Sequence, residues 1–167
     1  MTVGRIICIL IGYAIGLFQT GYIYGKTQHI DIREHGSGNA GTTNTLRTLG
    51  FKAGAITFAG DCGKAILAIF ISWLIFHAQY PEGIKLLGMY AGLGAVLGHN
   101  YPFYMKFKGG KGIACTTGVI LAFHWQMAPL CIGLFIVVVL LTQYVSLGSI
   151  LSVSYTHLRA HETRRHL

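Results

Sequence analysis

Acidic side chains are scarce. Five Asp and Glu stand against thirteen Lys and Arg in 167 residues, leaving a formal charge of +8. Charge of either sign is thin as well: 11% of residues are charged and 53% hydrophobic, with a mean hydropathy of +0.55. A chain this poor in polar groups cannot clothe a water-soluble domain of its size, so a polytopic membrane protein is expected. Cys8, Cys62, Cys115 and Cys131 are scattered through apolar surroundings without a C-x-x-C spacing, which favours buried free thiols over a metal site or a disulfide framework. The basic residues are not gathered on a soluble domain with base-stacking aromatics, so nucleic acid is not an expected partner. The apolar runs do not alternate every second residue, which favours helices over a β-barrel.

What is present is a series of long apolar runs. Ile6–Gly25 carries no formal charge over a length that can cross a hydrocarbon core of roughly 30 Å. It lacks the small-residue cleavage pattern of a signal peptide, and more spans follow. A second span is expected from about Ala53 to Phe76 and a third from about Leu86 to Met105. Between Ile113 and Leu158 there is no Asp, Glu, Lys or Arg, a stretch long enough for two helices. His124, Trp125, Gln126 and Pro129 form its natural break. Ile113–Phe123 is short for a complete span and is expected to be tilted, re-entrant or packed within the bundle. The fold class is thus all-α, a transmembrane bundle of about five membrane helices. Lys26, Arg33, Arg47 and Lys52 follow span one, and Lys106, Lys108 and Lys111 follow span three, whereas Lys85 alone lies between spans two and three. By the positive-inside rule both basic connections face the cytoplasm and the N-terminus lies outside. Such loops attract anionic headgroups or phosphorylated substrates.

The first connection contains "GSGNAGTTNTLR". Gly36, Gly38 and Gly41 satisfy G-x-G-x-x-G, but polar "DIREH" precedes them where a buried strand should stand, so a dinucleotide fold is rejected. The underlying physics survives: glycines let backbone N–H groups converge on an anion, and Ser37, Asn39, Thr42, Thr43 and Asn44 add side-chain donors. A helix starting near Thr43 or Asn44 would put Arg47 within its first turn or so. A capped turn between helices is the blander alternative.

The second connection, "GHNYPFYMKFKGGKGIA" at 98–114, sets Lys111 among Gly109, Gly110 and Gly112 directly before an apolar run. It is not a Walker A loop, since Met105 and Gly112 occupy positions that need Gly and Ser or Thr, so ATP hydrolysis is not expected. A glycine-flanked lysine before a helix is nonetheless a phosphate clamp. Lys106 and Lys108 read better as membrane-surface anchors. His99 is a candidate only through its place beside this loop. Asp61 and Lys64, at i and i+3 inside the second span, share a face and can pair, as a functional site or as a structural ion pair. "YVSLGSI" at 144–150 carries Ser146 and Ser149 one turn apart, where both can also bond backbone carbonyls.

These three motifs, in this order and between these spans, resemble the bacterial acyl-phosphate-dependent glycerol-3-phosphate acyltransferases of the PlsY type, over roughly residues 1–153. The resemblance implies an inner-membrane enzyme of phospholipid synthesis. It would transfer a fatty acyl group from acyl phosphate to the 1-hydroxyl of glycerol 3-phosphate, without cofactor or metal, giving lysophosphatidic acid and phosphate. On that basis Ser37, Thr43, Asn44 and neighbouring amides (Gly38, Asn39, Gly41, with Gly109, Gly110 and Gly112 across the second loop) are expected to serve phosphate. Arg47, Lys111 and Ser149 are expected to grip glycerol 3-phosphate, with His99 as loop organiser or secondary polar contact. Direct attack by the substrate hydroxyl is implied, with the donor's phosphate taking the proton. No His has Asp five positions later, so the H-x-x-x-x-D signature of other glycerolipid acyltransferases is absent, which argues against acyl-CoA chemistry.

After Val153 the composition changes abruptly: "SYTHLRAHETRRHL" holds three of the eight His and three of the six Arg. The family would continue with more membrane helix and a third motif, so residues 154–167 are expected to be a non-native tail on a domain cut short at its C-terminus, with a genuine lipid-binding tail as the alternative. The competing function is a small transporter or anion-binding membrane protein. It would show an internal repeat and polar loops on both faces, and neither is visible in the sequence.

Overall fold

The computed structural model describes residues 1–127 and, beyond them, the isolated positions Gly133, Val137, Val138 and Leu141. All regular elements among the described residues are helical: α1 (Thr2–Gly16), α2 (Thr20–Thr27), α3 (Thr42–Leu49), α4 (Phe51–Phe76), α5 (Ile84–Asn100) and α6 (Ile113–Phe123), with 3₁₀ turns at Ile32–Glu34, Phe103–Met105 and Trp125–Met127. Met1–Ala122 forms one compact unit, and the remainder forms a second. Thr2–Thr27 and Phe51–Phe76 are each long and apolar enough to cross a bilayer. The fifth expected helix, Cys131, Pro129, Ser146 and Ser149 lie outside the described residues.

Two spans depart from expectation. The first is broken: α1 stops at Gly16, α2 starts at Thr20, and Gln19 sits wholly buried between them. Gln19 Nε2 donates to the His99 carbonyl at 2.9 Å, so a buried amide finds its acceptor on another helix at the cost of local helix continuity. The third span ends at Asn100 rather than Met105, because Pro102 disfavours helix at Tyr101. The short helix Ile113–Phe123 and the helix opening at Thr42 are close to expectation.

Association of α1 with α5 rests on small residues. A Cβ on Gly12 would fall 2.0 Å from the Ala91 oxygen, and one on Gly98 would fall 2.2 Å from the Tyr13 oxygen. In lipid there is no hydrophobic drive between helices, so close backbone approach and packing must hold them. α6 meets α4 in the same way: a Cβ on Gly118 would lie 2.3 Å from the Cys62 oxygen, and Cys62 Sγ donates to the Ala114 carbonyl at 3.0 Å. Ala65, Ala68, Ala95 and Cys115 form a buried cluster beside this contact, and Cys8, Phe76, Leu87 and Ala91 form another. Cys8, Cys62 and Cys115 are free and buried. Leu10, Phe70, Trp73, Leu74, Ile75 and Leu93 are exposed, an apolar exterior suited to lipid. Between α3 and α4, Gly50 has φ +86° and ψ −179°, a backbone conformation that glycine adopts without strain.

Candidate functional site

The first glycine-rich loop is organised from within. Asn44, buried in the first turn of α3, accepts from the Ser37 N–H at 2.8 Å. Its amide donates to the carbonyls of Ile32 and His35 at 2.9 and 3.0 Å. Both its donors are spent, so Asn44 shapes the loop instead of offering the donor expected of it. Asn39 Oδ1 accepts from the Gly41 N–H at 2.9 Å, and its Nδ2 donates to the Gly109 carbonyl at 3.3 Å. Asn39 thereby joins the first loop to the second. A Cβ on Gly41 would lie 3.8 Å from Gly110 Cα, so the two backbones nearly touch.

Within the second loop, Gly109 and Gly110 differ from expectation. Their N–H groups turn inward to the Asn100 and His99 carbonyls, at 3.0 and 3.1 Å. A Cβ on Gly109 would meet the His99 oxygen at 1.9 Å, and one on Gly110 would meet His99 Nε2 at 1.9 Å. These glycines therefore seat the loop on the end of α5 and are not themselves the N–H donors of an anion cradle. Gly112, at φ +77°, turns the chain into α6.

Two helix N-termini consequently open beside the junction. α3 starts at Thr42 with no side-chain cap on its N-terminal N–H groups, and α6 starts at Ile113 just after Gly112. The first N–H groups of a helix have no intrahelical partner and carry positive potential, the standard physical basis of an anion site. Thr43 is half-buried at this start, and Ser37 and Gly38 are exposed on the adjoining loop. The Thr42 hydroxyl is buried without a partner. Arg47, four residues after Thr43 and so on its face of α3, is exposed, as is Lys111. Neither has an ion-pair or hydrogen-bond partner among the described residues. Ser149 lies outside the described residues.

Behind the junction is a buried polar cluster. Lys64 Nζ is 3.0 Å from Asp61 Oδ1 and 2.8 Å from His99 Nδ1, and it also donates to the Phe18 carbonyl freed by the break after α1. Thr20 Oγ1 donates to Asp61 Oδ1 at 3.1 Å. The pairing of Asp61 with Lys64 is legible from their spacing, but its extension to His99, Thr20 and Gln19 is not. A lone Gln inside a charge-free run was the available signal.

An open cleft of about 510 Å³ is lined by Arg33, Glu34, Gly38, Tyr104, Met105, Lys106 and Lys108. Arg33 beside Asp31, with Nη2 and Oδ2 2.7 Å apart, holds that carboxyl well below the usual range, and Asp31 in turn raises the guanidinium. Tyr104 donates to the Leu17 carbonyl at 2.7 Å, and burial pushes its phenol up. Lys106 and Phe107 adopt left-handed backbone, φ +54° and +59°, which bends the loop around this cleft.

Residues 6–160 match the family model described as glycerol-3-phosphate acyltransferase. The chain is 43% identical over 157 residues to the glycerol-3-phosphate acyltransferase of Thermoanaerobacter sp. (strain X514), covering 93% of this chain and 76% of that one. It is also 43% identical over 149 residues to that of Bacillus subtilis (strain 168), covering 89% and 74%. The crystal structure of PlsY (YgiH), an integral membrane glycerol 3-phosphate acyltransferase, superposes in its glycerol 3-phosphate form with a TM-score of 0.83 at 32% identity. That superposition covers 95% of this chain and 77% of that one. The form with lysophosphatidic acid gives a TM-score of 0.82.

Proposed function

This chain belongs to the glycerol-3-phosphate acyltransferase family and is a membrane enzyme that acylates glycerol 3-phosphate, and from that premise we propose that its acyl donor is an acyl phosphate bound where the two glycine-rich loops meet. The Asn39–Gly109 contact carries this reading, because it places the uncapped start of α3 beside the loop bearing Lys111. Two phosphorylated molecules can then be held side by side at the end of an apolar bundle. The α3 N–H groups, Ser37 and Thr43 take one phosphate, and Arg47 and Lys111, with Ser149, take glycerol 3-phosphate. Asn44 acts through the shape of the loop.

In the reaction the 1-hydroxyl oxygen of glycerol 3-phosphate attacks the acyl carbonyl carbon. A new C–O ester bond forms, the bond between that carbon and the phosphate oxygen breaks, and the departing phosphate takes the hydroxyl proton. An acyl phosphate is already activated, so positioning and charge stabilisation supply the rate. The loops face the cytoplasm of a bacterial inner membrane. Residues 1–153 are assigned to the acyltransferase domain.

The test is product formation in lipid vesicles from labelled glycerol 3-phosphate with palmitoyl phosphate or palmitoyl-CoA. It is run on the 167-residue chain and on the chain extended with the last quarter of the Bacillus subtilis relative. Lysophosphatidic acid with palmitoyl phosphate only is the expected result. Lys111→Ala and Arg47→Ala should each lower kcat/KM for glycerol 3-phosphate by about 100-fold or more without loss of expression. Equal use of palmitoyl-CoA would overturn the donor, and unchanged turnover in both variants would overturn the site.

A further inference from the structure

Buried ionisable groups in a lipid-facing bundle persist only when each has partners. Asp61, Lys64 and His99 are 1%, 5% and 2% exposed. The three ammonium protons of Lys64 meet three acceptors: the Phe18 carbonyl, Asp61 Oδ1 and His99 Nδ1. The last contact has a chemical corollary. An ammonium has no lone pair to offer, so Nδ1 must be the acceptor, and a neutral imidazole accepting at Nδ1 carries its proton on Nε2. The alternative, an Nδ1–H donating to Asp61 Oδ1, would span 3.7 Å, beyond hydrogen-bond reach. Asp61 and Lys64 cancel in charge, which lets the cluster stay buried.

The same histidine is fixed at its backbone, where its carbonyl accepts from Gly110 N–H and from Gln19 Nε2. The ring itself is held by its burial and by the Lys64 contact at Nδ1. Its Nε2 lies against Gly110, where even one added methyl would fall 1.9 Å away, and it has no hydrogen-bond partner among the described residues.

We propose that Asp61 and Lys64 are positioning residues that lock His99 as its Nε2–H tautomer, so that the ring donates its free N–H to an anionic phosphate oxygen in the cradle beside Gly110. This rests on the loop junction being the phosphate site. The oxygen belongs to glycerol 3-phosphate or to the acyl phosphate, and the two sources are separable.

The experiment is ¹⁵N NMR of the histidine-labelled chain in lipid nanodiscs, with the His99 signals identified by their loss in His99→Gln. Without substrate, the expected ring is protonated at Nε2 and bare at Nδ1. The neutral, near-isosteric pair Asp61→Asn with Lys64→Met should give a tautomer mixture. A proton on Nδ1 in the unsubstituted chain, or an unchanged tautomer in the double variant, would overturn the lock. Glycerol 3-phosphate and palmitoyl phosphate are then added separately. A downfield Nε2–H shift with one of them identifies the source, and no shift with either overturns the donation. Turnover separates this from the function itself: His99→Gln, whose amide nitrogen can replace Nε2, should stay within about tenfold, whereas His99→Asn should lose about 100-fold in kcat/KM. Equal loss in both would refute the donor role while the acyltransferase reading stood.

Discussion

Replacing Gly110 with alanine adds a single methyl at the most crowded point of the loop junction. Its Cβ would lie 1.9 Å from His99 Nε2, 2.6 Å from Cε1 and 2.9 Å from Cδ2. Ordinary contact is about 3.5 Å, so a separation of roughly 1.5 Å more is required. The ring cannot supply it, because Lys64 holds Nδ1 and the residue is only 2% exposed. The loop must yield instead, breaking the Gly110 N–H bond to the His99 carbonyl and carrying Lys111 with it. Overpacking costs about 1–3 kcal/mol and the lost hydrogen bond about 1 more. Displacing a substrate-positioning group by about 1 Å lowers turnover by about 100-fold. The assay is kcat/KM for glycerol 3-phosphate with thermal unfolding in the same detergent, using whichever form of the chain turns over. Gly63→Ala is the control: nothing lies within 4 Å of its added methyl, so activity should hold and stability should rise by about 0.5–1 kcal/mol. If Gly110→Ala kept kcat/KM within about threefold of the parent, the loop would not be seated on His99 as described.

Asn39→Ala removes the bond to Gly109 and the bond from Gly41, so KM for glycerol 3-phosphate should rise by about tenfold or more; an unchanged KM would mean that the loops do not depend on this link. Gly12→Val places three added carbons against the Ala91 backbone and should separate α1 from α5, measured as a lower melting temperature with protease access to the loops. The Asp31 carboxylate, held below its ordinary value by Arg33, contributes order that is present above the unfolded value near about 3.9 and is lost as pH falls through the lower folded value. Amide exchange at Arg33 and Glu34 should therefore stay protected at pH 5 and loosen only well below pH 4. Asp31→Asn should abolish that dependence.

The apolar segments were legible because desolvation of charge dominates a membrane chain, and a long run without charge admits few other fates. The break in the first span was not. The Gln19 amide nitrogen donates to a carbonyl 80 residues away, and no local period announces such a partner. Glycines, with hydroxyl groups in the first loop and lysines in the second, located both loops, yet composition could not say which N–H groups face inward, so Gly109 and Gly110 read as anion donors when they are contacts with α5. The knot at Asn44 was hidden for a similar reason. Its three bonds reach back to residues 32, 35 and 37, a spacing that belongs to no helix or strand. Asp61 and Lys64 were readable at i and i+3, whereas their link to His99 exists only once α4 and α5 are packed.

The break between α1 and α2 also constrains how the protein can be made. The Gln19 amide and the Phe18 carbonyl enter the membrane early, but their partners at His99 and Lys64 are synthesised 80 and 46 residues later. At about 5–20 residues per second, Gln19 waits roughly 4–16 s for its acceptor. Hydrocarbon offers no substitute for it. Until α4 and α5 arrive, the joint is therefore short of its final partners, a need that a hydrated boundary such as the insertion channel or the headgroup layer can meet and hydrocarbon cannot.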